Sequence, residues 1–316
     1  MFNHTIRKIK RNILWLKLIK GKNDIMLYYP DLKAKDNHVN VHIHDVKKTG
    51  WDYHDNGQYP YNLGDVLAMP IINFMLAKRG IVADKEVKGR KHLFTVGSGG
   101  LRSFQDTTIW GTGIMYDGLK GLWFEKYWDA NHRHLDIRAV RGPMTREVFM
   151  KLGHKCPEVY GDPGILMPLI YQPKNDEKTH DYMVIPQYTT ENEVRKYIPG
   201  ERIISMNTND YKSVIDKIVS CKKVYSSSLH GIILAEAYGV PAVFFRGVPA
   251  IVDFKYKDYY ASTGRYDVPM AGSLAEAFSS EAPELPNLTR LQQGLMDAFP
   301  YDLWEDSNTG GGDGEN

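Results

Sequence analysis

The 316-residue chain lacks the features that mark several specialised classes of protein. Its two cysteines, Cys156 and Cys221, have no CxxC or zinc-type spacing, which favours a reducing cytoplasm over a disulfide framework. The formal net charge is only +2, so no strong field attracts nucleic acid, and we expect no nucleic-acid partner. No apolar run reaches the length of a membrane span, and no GxGxxG or P-loop spacing is present. The composition is that of an ordinary soluble globular protein.

The two ends of the chain differ in composition from the part between them. Residues 1–21 are basic, with Ile, Leu and Trp interspersed, and Lys17 breaks the apolar core that a signal peptide needs. As a helix, this segment either rests on an anionic membrane surface or packs as a solvated helix on the domain that follows. Residues 307–316 are polar and rich in glycine, and we expect them to be disordered.

Between these ends, short apolar runs alternate with amphipathic helical patterns. This alternation predicts an α/β protein with mostly parallel sheets. The polar stretch around residues 171–181 predicts a break between two Rossmann-like domains, residues 22–172 and residues 173–306, which face each other across a cleft. The predicted strands include the start of EVYGDPGILMP (158–168), which runs into a tight turn, and the buried run RIISMN (202–207). In open parallel sheets a ligand binds beyond the carboxyl ends of the strands, so we expect the turns there to line the cleft.

Three of these turns carry glycine together with polar side chains or free backbone groups. One turn holds Asn62, Gly64 and Asp65 and directly precedes a helical pattern that Asp65 is predicted to cap. This turn is either a plain capping turn or a contact to the ligand. Gly99 lies in a glycine-rich turn that can bring backbone N–H groups close to an anion. Asp162 lies between glycine and proline at a strand end, where it either caps the turn or orients a base.

Two arginines flank the end of another predicted strand. Arg138 and Arg141 come just before a helix that begins near Pro143. An arginine beside a helix N-terminus is a natural clamp for a carboxylate or a phosphate, and the spacing of three favours only one of the two facing the cleft. A surface ion pair with Asp136 or Glu147 is the alternative.

The stretch SSSLHG holds the richest constellation. Ser226, Ser227 and Ser228 are candidate N-caps of an apolar helix, and Gly231 lets a ligand approach its first turn. The positive end of the helix dipole favours a neutral imidazole that accepts a proton, while the same N–H groups attract an anion. His230 is therefore either an acid–base catalyst or a buried histidine satisfied by a backbone carbonyl.

Three segments together resemble the polysaccharide pyruvyl transferase family. They are YNLGDVLAMPIINFMLAKRG, DIRAVRGPMTREVFMKLG with CPEVYGDPGILMP, and SSSLHGIILAEAYGVPAVFF, in this order. The resemblance covers about residues 60–250 and is strongest to bacterial succinoglycan and other exopolysaccharide ketal pyruvate transferases.

The resemblance implies a glycosyltransferase-B-like pair of domains and phosphoenolpyruvate as the donor. The acceptor it implies is a saccharide, an exopolysaccharide or its lipid-linked oligosaccharide repeat unit at the inner membrane face. This acceptor receives a pyruvate ketal across two hydroxyls. The chemistry implies no redox cofactor and no metal; His42 and His44 share a face of a predicted strand, but no third ligand is evident.

The resemblance also assigns roles to individual positions of this sequence. The family's Ser-x-x-His-Gly histidine corresponds to His230 and its Asn-x-Gly-Asp element ends at Asp65, and these two are the predicted catalytic residues. Its Arg-Gly and Gly-Asp-Pro elements correspond to Arg141 and Asp162. Many relatives carry an arginine two residues before the histidine, where this chain has Ser228. The predicted donor-binding residues are Arg138, Arg141, Arg246, Ser226, Ser227, Ser228 and Gly231. The predicted acceptor or cleft residues are Asn62, Gly64, Gly99, Asp162 and Glu236.

Two other functions fit the same sequence. A glycosyltransferase that uses a nucleotide sugar needs an acidic contact to the ribose, and Glu236 offers one. A non-catalytic carbohydrate-binding protein that retains the fold is the other alternative.

Overall fold

The computed structural model describes residues 39–42, 62–89, 91–102, 106–115, 134–247 and 253–305. The predictions for segments 1–21 and 307–316, and for the side chains of His42 and His44, lie outside what is described. The α/β class is confirmed, with two separate parallel sheets. Within the described ranges, no helix is both long enough and apolar enough to cross a bilayer.

The first sheet has four parallel strands that pair in chain order. Because every neighbour is parallel, the chain must return to the same end of the sheet before each new strand. The carboxyl ends of the strands therefore share one edge, and the turns that follow them are neighbours. The strands are β1 (Val39–His42), β2 (Lys91–Phe94), β3 (Thr107–Trp110) and β4 (Leu135–Ala139).

Three helices accompany this sheet in the described residues around it. Helix α1 (Leu63–Val66) runs directly into α2 (Ala68–Ala77), whose apolar face is buried in the main core. The chain leaves α2 at Gly80, which has a φ of +67° in the left-handed region that glycine adopts without strain. Helix α3 (Pro143–Lys151) begins with proline, whose fixed φ suits the first turn.

The second sheet has three parallel strands, β5 (His180–Ile185), β6 (Cys221–Ser226) and β7 (Ala242–Phe244). Every residue of α6 from Leu229 to Glu236 is buried, because a helix that is apolar on all sides must lie inside the protein. The helices of this half are α4 (Glu191–Val194), α5 (Tyr211–Val219) and α6 (Leu229–Ala237).

The last part of the described chain returns to the first half. The indole Nε1 of Trp110 donates to Leu295 O at 2.9 Å, and the hydroxyl of Tyr301 donates to Met75 O at 2.9 Å. Residues of both sheets belong to one main core. The domain boundaries stay predictions. The helices of this part are α7 (Phe254–Ser262), α8 (Leu274–Phe278) and α9 (Thr289–Asp297).

Two of the predicted strands are wrong in extent. In RIISMN only Ile203 forms a bridge, to Val184 of β5. The backbone then leaves the sheet, because Met206 O accepts a hydrogen bond from Leu63 N at 2.9 Å. In EVY only Tyr160 forms a bridge, and the chain continues into a 3₁₀ helix.

Candidate active site

The turn between β6 and α6 is built by its three serines. Ser228 is the N-cap of α6, as predicted, and its Oγ accepts from Gly231 N at 3.4 Å. The Oγ of Ser226 accepts from Ser228 N at 3.0 Å, and the Oγ of Ser227 accepts from Gln187 N at 3.0 Å. All three serines are buried. Their side chains fix the backbone that presents His230 at the first turn of the helix.

His230 faces Asp162 across a short gap. Nε2 of His230 lies 3.7 Å from Oδ2 of Asp162, and the two side chains are 11% and 0% exposed. Both of these atoms are enclosed and have no hydrogen-bond partner among the described residues. A gap of 3.7 Å is too long for a hydrogen bond. Of the two interpretations of His230, a satisfied core histidine does not fit this geometry, since Nε2 has no backbone carbonyl to bind.

Of the two roles predicted for Asp162, the cap of its own turn is confirmed, and the orientation of a base stays a prediction. Its Oδ1 accepts from Gly164 N at 3.0 Å and so caps the 3₁₀ helix Pro163–Leu169. Its Oδ2 is left to face the histidine. One carboxylate thus caps its own turn with one oxygen and has its other oxygen facing a ring on another element.

The imidazole of His230 also packs directly on the backbone of Gly64. A Cβ atom at position 64 would lie 1.9 Å from Nδ1 of His230, so only glycine leaves room for the ring. This contact joins the turn before α1 to the first turn of α6. The sequence-predicted elements around Gly64 and His230, 166 residues apart in numbering, therefore meet in one site.

Asp65 is not the helix cap that the sequence predicts. The N-cap position of α1 belongs to Asn62, and Asp65 lies inside the helix. Its carboxylate is almost fully buried, and its Oδ2 accepts from Asn62 Nδ2 at 2.8 Å. The error arises because a capping carboxylate and a carboxylate in the first turn have the same local sequence signature.

Arg141 is completely enclosed in protein contacts. Its Nε donates to Asp258 Oδ2 at 3.0 Å, and both side chains are 0% exposed. Nη1 donates to Ser98 Oγ at 2.7 Å and Nη2 to Ile114 O at 2.6 Å. Thr145 completes the group, because its Oγ1 donates to the same carboxylate oxygen of Asp258 at 2.6 Å. Every nitrogen of the Arg141 guanidinium thus has an acceptor within the protein, which is the pattern of a structural arginine, and donor binding by Arg141 stays a prediction.

The other two predicted donor-binding arginines also have acidic partners. Arg138 is about one-third exposed and pairs with Asp136 at 2.7 Å and Asp302 at 2.9 Å, so the alternative of an ion pair with Asp136 is confirmed. Arg246 pairs with Asp253. Donor binding by Arg138 or Arg246 stays a prediction.

The predicted cleft residues Glu236 and Gly99 lie on different elements. Glu236 is six residues after His230, about 9 Å further along α6. Its carboxylate, 1% exposed, is held by Arg265 Nη2 at 2.6 Å and by Tyr259 OH at 2.7 Å. Gly99 lies in the turn after β2, where its N–H donates to Thr112 Oγ1 at 3.2 Å. The structure does not bring Glu236 together with His230.

Helix α7 contributes two residues that the sequence analysis missed. Asp258 is the partner of Arg141, and Lys255 is a lysine with only 9% of its surface exposed. Burial and the nearby Arg141 lower the pKa of Lys255 to about 8, although Asp65 opposes this shift. The sequence does indicate this helix, because the tyrosines at 256, 259 and 260 have the spacing of one helix face.

The described residues include no group of three or more His, Cys, Asp or Glu side chains placed to hold a metal ion. The absence of a metal and of a cofactor from the reaction stays a prediction.

Comparison with known proteins places the chain in a family. A model for polysaccharide pyruvyl transferase matches residues 62–247. The chain belongs to the polysaccharide pyruvyl transferase family. The matched range contains the turn at Gly64, Asp162 and His230, and it ends before Lys255.

Individual relatives have low sequence identity to this chain. The chain is 30% identical over 200 residues to an uncharacterized protein of Acanthamoeba polyphaga mimivirus, in a match that covers 60% of this chain and 66% of the relative. The chain thus spans just under two thirds of that relative's length. A crystal structure of a functionally uncharacterized protein from Klebsiella pneumoniae is similar, with 12% identity and a TM-score of 0.44 over 80% of this chain and 98% of that one.

Proposed function

We propose that this protein transfers pyruvate from phosphoenolpyruvate onto two hydroxyls of a saccharide, as a ketal. Membership of the polysaccharide pyruvyl transferase family supports a pyruvate donor and a saccharide acceptor. The observation that carries the proposal is the pair of enclosed, facing atoms Nε2 of His230 and Oδ2 of Asp162. A buried polar pair with no hydrogen bond lowers stability, so its presence favours a catalytic use.

The reaction requires controlled proton transfers. Protonation of phosphoenolpyruvate at C3 makes C2 electrophilic, and two hydroxyl oxygens of the saccharide form bonds to C2. The bond between C2 and the bridging oxygen of phosphate breaks, and phosphate leaves. One hydroxyl proton is balanced by the proton gained at C3, and the other departs with phosphate. The site therefore needs an acid near C3 and a base for the hydroxyls.

His230 supplies this acid–base group, and Asp162 positions it. When the 3.7 Å gap closes, the carboxylate of Asp162 accepts a hydrogen bond from Nε2–H. That bond fixes the tautomer in which Nδ1 is the basic nitrogen, and it stabilises the imidazolium formed after proton transfer. Nδ1 is the nitrogen beside Gly64, so the hydroxyl and C3 protons are exchanged on that side of the ring.

The donor's negative charges are held near the start of α6. This nine-residue helix places its positive dipole end and its first N–H groups beside His230. The proposal includes a glycosyltransferase-B-like arrangement of the two sheets and a reaction without redox cofactor or metal. It also includes a lipid-linked acceptor at the inner membrane face of a cytoplasmic protein, with residues 1–21 as the contact to the membrane.

A nucleotide-sugar glycosyltransferase has less support. Its acidic ribose contact would be Glu236, whose carboxylate oxygens bind Arg265 and Tyr259. Measurement of the melting temperature separates the two enzymes. We expect phosphoenolpyruvate to raise the melting temperature of the full chain, whereas pyruvate and a panel of UDP- and GDP-sugars leave it unchanged. Stabilisation by a nucleotide sugar alone would overturn the proposed donor.

A further inference from the structure

We propose that Lys255 is the cation that binds a carboxylate or phosphate group of the donor, an inference that rests on the proposed function. Lys255 lies on α7, outside the range that the family model matches and outside every motif of the sequence analysis. The residue is only 9% exposed, and its ammonium lies over the ring of Tyr256, 5.0 Å from the centroid. Within the described part of the chain no carboxylate forms an ion pair with it.

Each of the three arginines predicted to bind the donor forms an ion pair with a carboxylate, unlike Lys255. Arg141 is fully enclosed and paired with Asp258, Arg138 is paired with Asp136, and Arg246 is paired with Asp253. An arginine held by a carboxylate must break or share that pair before it binds another anion. A buried ammonium without an ion-pair partner is destabilising by itself, and a bound anion removes that penalty.

The position of α7 brings Lys255 to the turns that form the site. The neighbouring Tyr256 donates its hydroxyl to Ser227 O at 2.7 Å, which ties the start of α7 to the turn that carries His230. Asp258, three residues after Lys255 on the same side of α7, accepts from Arg141 Nε at 3.0 Å, so this side of the helix meets the turn that carries Arg141. The charges of Arg141 and Asp65 both act on the pKa of Lys255. Asp65 adjoins Gly64, on which the imidazole of His230 packs. The amine is therefore placed among the same strand-end turns as the acid–base pair.

The acid–base behaviour of Lys255 agrees with anion binding. Its pKa of about 8 in the ligand-free protein keeps the amine mostly protonated at neutral pH, and an anion beside it raises this pKa. The protonated form binds the anion, so the affinity for the donor is high below pH 8 and decreases as the pH rises above it. Free-enzyme ionisations of this kind are seen in the pH profile of kcat/KM.

The test compares Lys255→Met with Lys257→Met in the full chain. Lys257 lies on the same helix with a side chain that is 56% exposed, so its variant is a matched control. In Lys255→Met we expect a higher melting temperature without ligand, because methionine removes a buried charge. We also expect loss of the stabilisation by phosphoenolpyruvate and a KM for it that is roughly 10- to 100-fold higher. The decrease in kcat/KM above pH 8 should disappear in this variant and remain in the control.

The outcomes separate this inference from the proposed function. If the wild type binds and uses phosphoenolpyruvate but Lys255→Met has an unchanged KM and pH profile, the inference on Lys255 is wrong and the function stands. If inorganic phosphate stabilises the wild type through Lys255 while phosphoenolpyruvate does not, the anion site stands and the proposed donor is wrong. Equal stabilisation of both variants and the wild type by every anion tested would also refute the role of Lys255.

Discussion

Two buried groups of charged and polar side chains lie at the carboxyl ends of the strands, and they differ in how completely their atoms are bonded. In the first group, Arg141 and Asp258 are fully enclosed, and every nitrogen of the guanidinium has an acceptor. In the second group, His230 and Asp162 face each other with one enclosed atom each unbonded. The first group thus has the contacts of a structural element, while the second has atoms left for a substrate or for proton transfer.

The difference explains why these two buried pairs of ionisable side chains are expected to respond oppositely to substitution. Removing one partner of a fully bonded pair leaves the other as an isolated buried charge, which destabilises the fold. Changing a pair that has no hydrogen bond removes little stabilisation and acts instead on the reaction. Stability and activity measurements on matched variants therefore test the comparison directly.

The largest effect on stability is expected for Arg141→Met. This change leaves the carboxylate of Asp258 buried and without its cation, so the free energy of unfolding should fall by about 3–5 kcal/mol. The control is Arg138→Met, which removes a partly exposed ion pair and should change the free energy of unfolding by about 1 kcal/mol or less. Denaturant-induced unfolding followed by fluorescence measures both. Equal effects of the two variants would contradict a structural role for the Arg141 pair.

Asp162→Asn is expected to act on turnover rather than on stability. The amide oxygen can still accept from Gly164 N, so the turn is retained, while the negative charge that stabilises the imidazolium is lost. We expect kcat to fall by roughly 10²-fold or more with little change in the KM for phosphoenolpyruvate. Steady-state kinetics measure this split. A rise in KM at constant kcat would assign Asp162 to donor binding instead.

A smaller effect on turnover is expected for Gly64→Ala. The added methyl group would lie 1.9 Å from Nδ1 of His230, so the ring must move away from the position it holds between Gly64 and Asp162. We expect kcat/KM to fall about 10- to 100-fold, because small displacements of a catalytic group have effects of this order.

Gly294→Ala is the control for this change. A Cβ at position 294 meets nothing closer than 3.6 Å, and alanine is a better helix former than glycine at this position in α9. The control should therefore retain activity and be slightly more stable. Full activity of Gly64→Ala would show that the position of the ring is not important for the reaction.

Local patterns in the sequence predicted the elements that carry most of the site. The glycine turns, the α/β alternation and the cap at Ser228 follow from backbone preferences within a few residues, and the structure agrees with them. His230 and Asp162 were found in the same way, since each directly follows a strand or lies at a helix start.

The parts that were missed depend on contacts between distant segments. Arg141 and Asp258 are 117 residues apart, and nothing in either local sequence shows that they form a closed pair. Helix α7 was missed although its tyrosines have helical spacing, because its buried residues include Lys255 and Asp258, and lysine and aspartate are typical of exposed positions. The cap assigned to Asp65 failed because the residue lies inside α1 and not before it.

Formation of a ketal by the wild type and by His230→Ala tests the proposed reaction and the role of His230 in it. The full chain is incubated with phosphoenolpyruvate and a panel of p-nitrophenyl hexosides, and the ketal product is measured by mass spectrometry together with released phosphate. The control variant is His134→Ala, whose side chain is 79% exposed. We expect the control to form ketal and phosphate at the wild-type rate. In His230→Ala, we expect this rate to be lower by about 10²- to 10⁴-fold. Ketal formation by His230→Ala at the wild-type rate would show that His230 is not the acid–base group of the reaction.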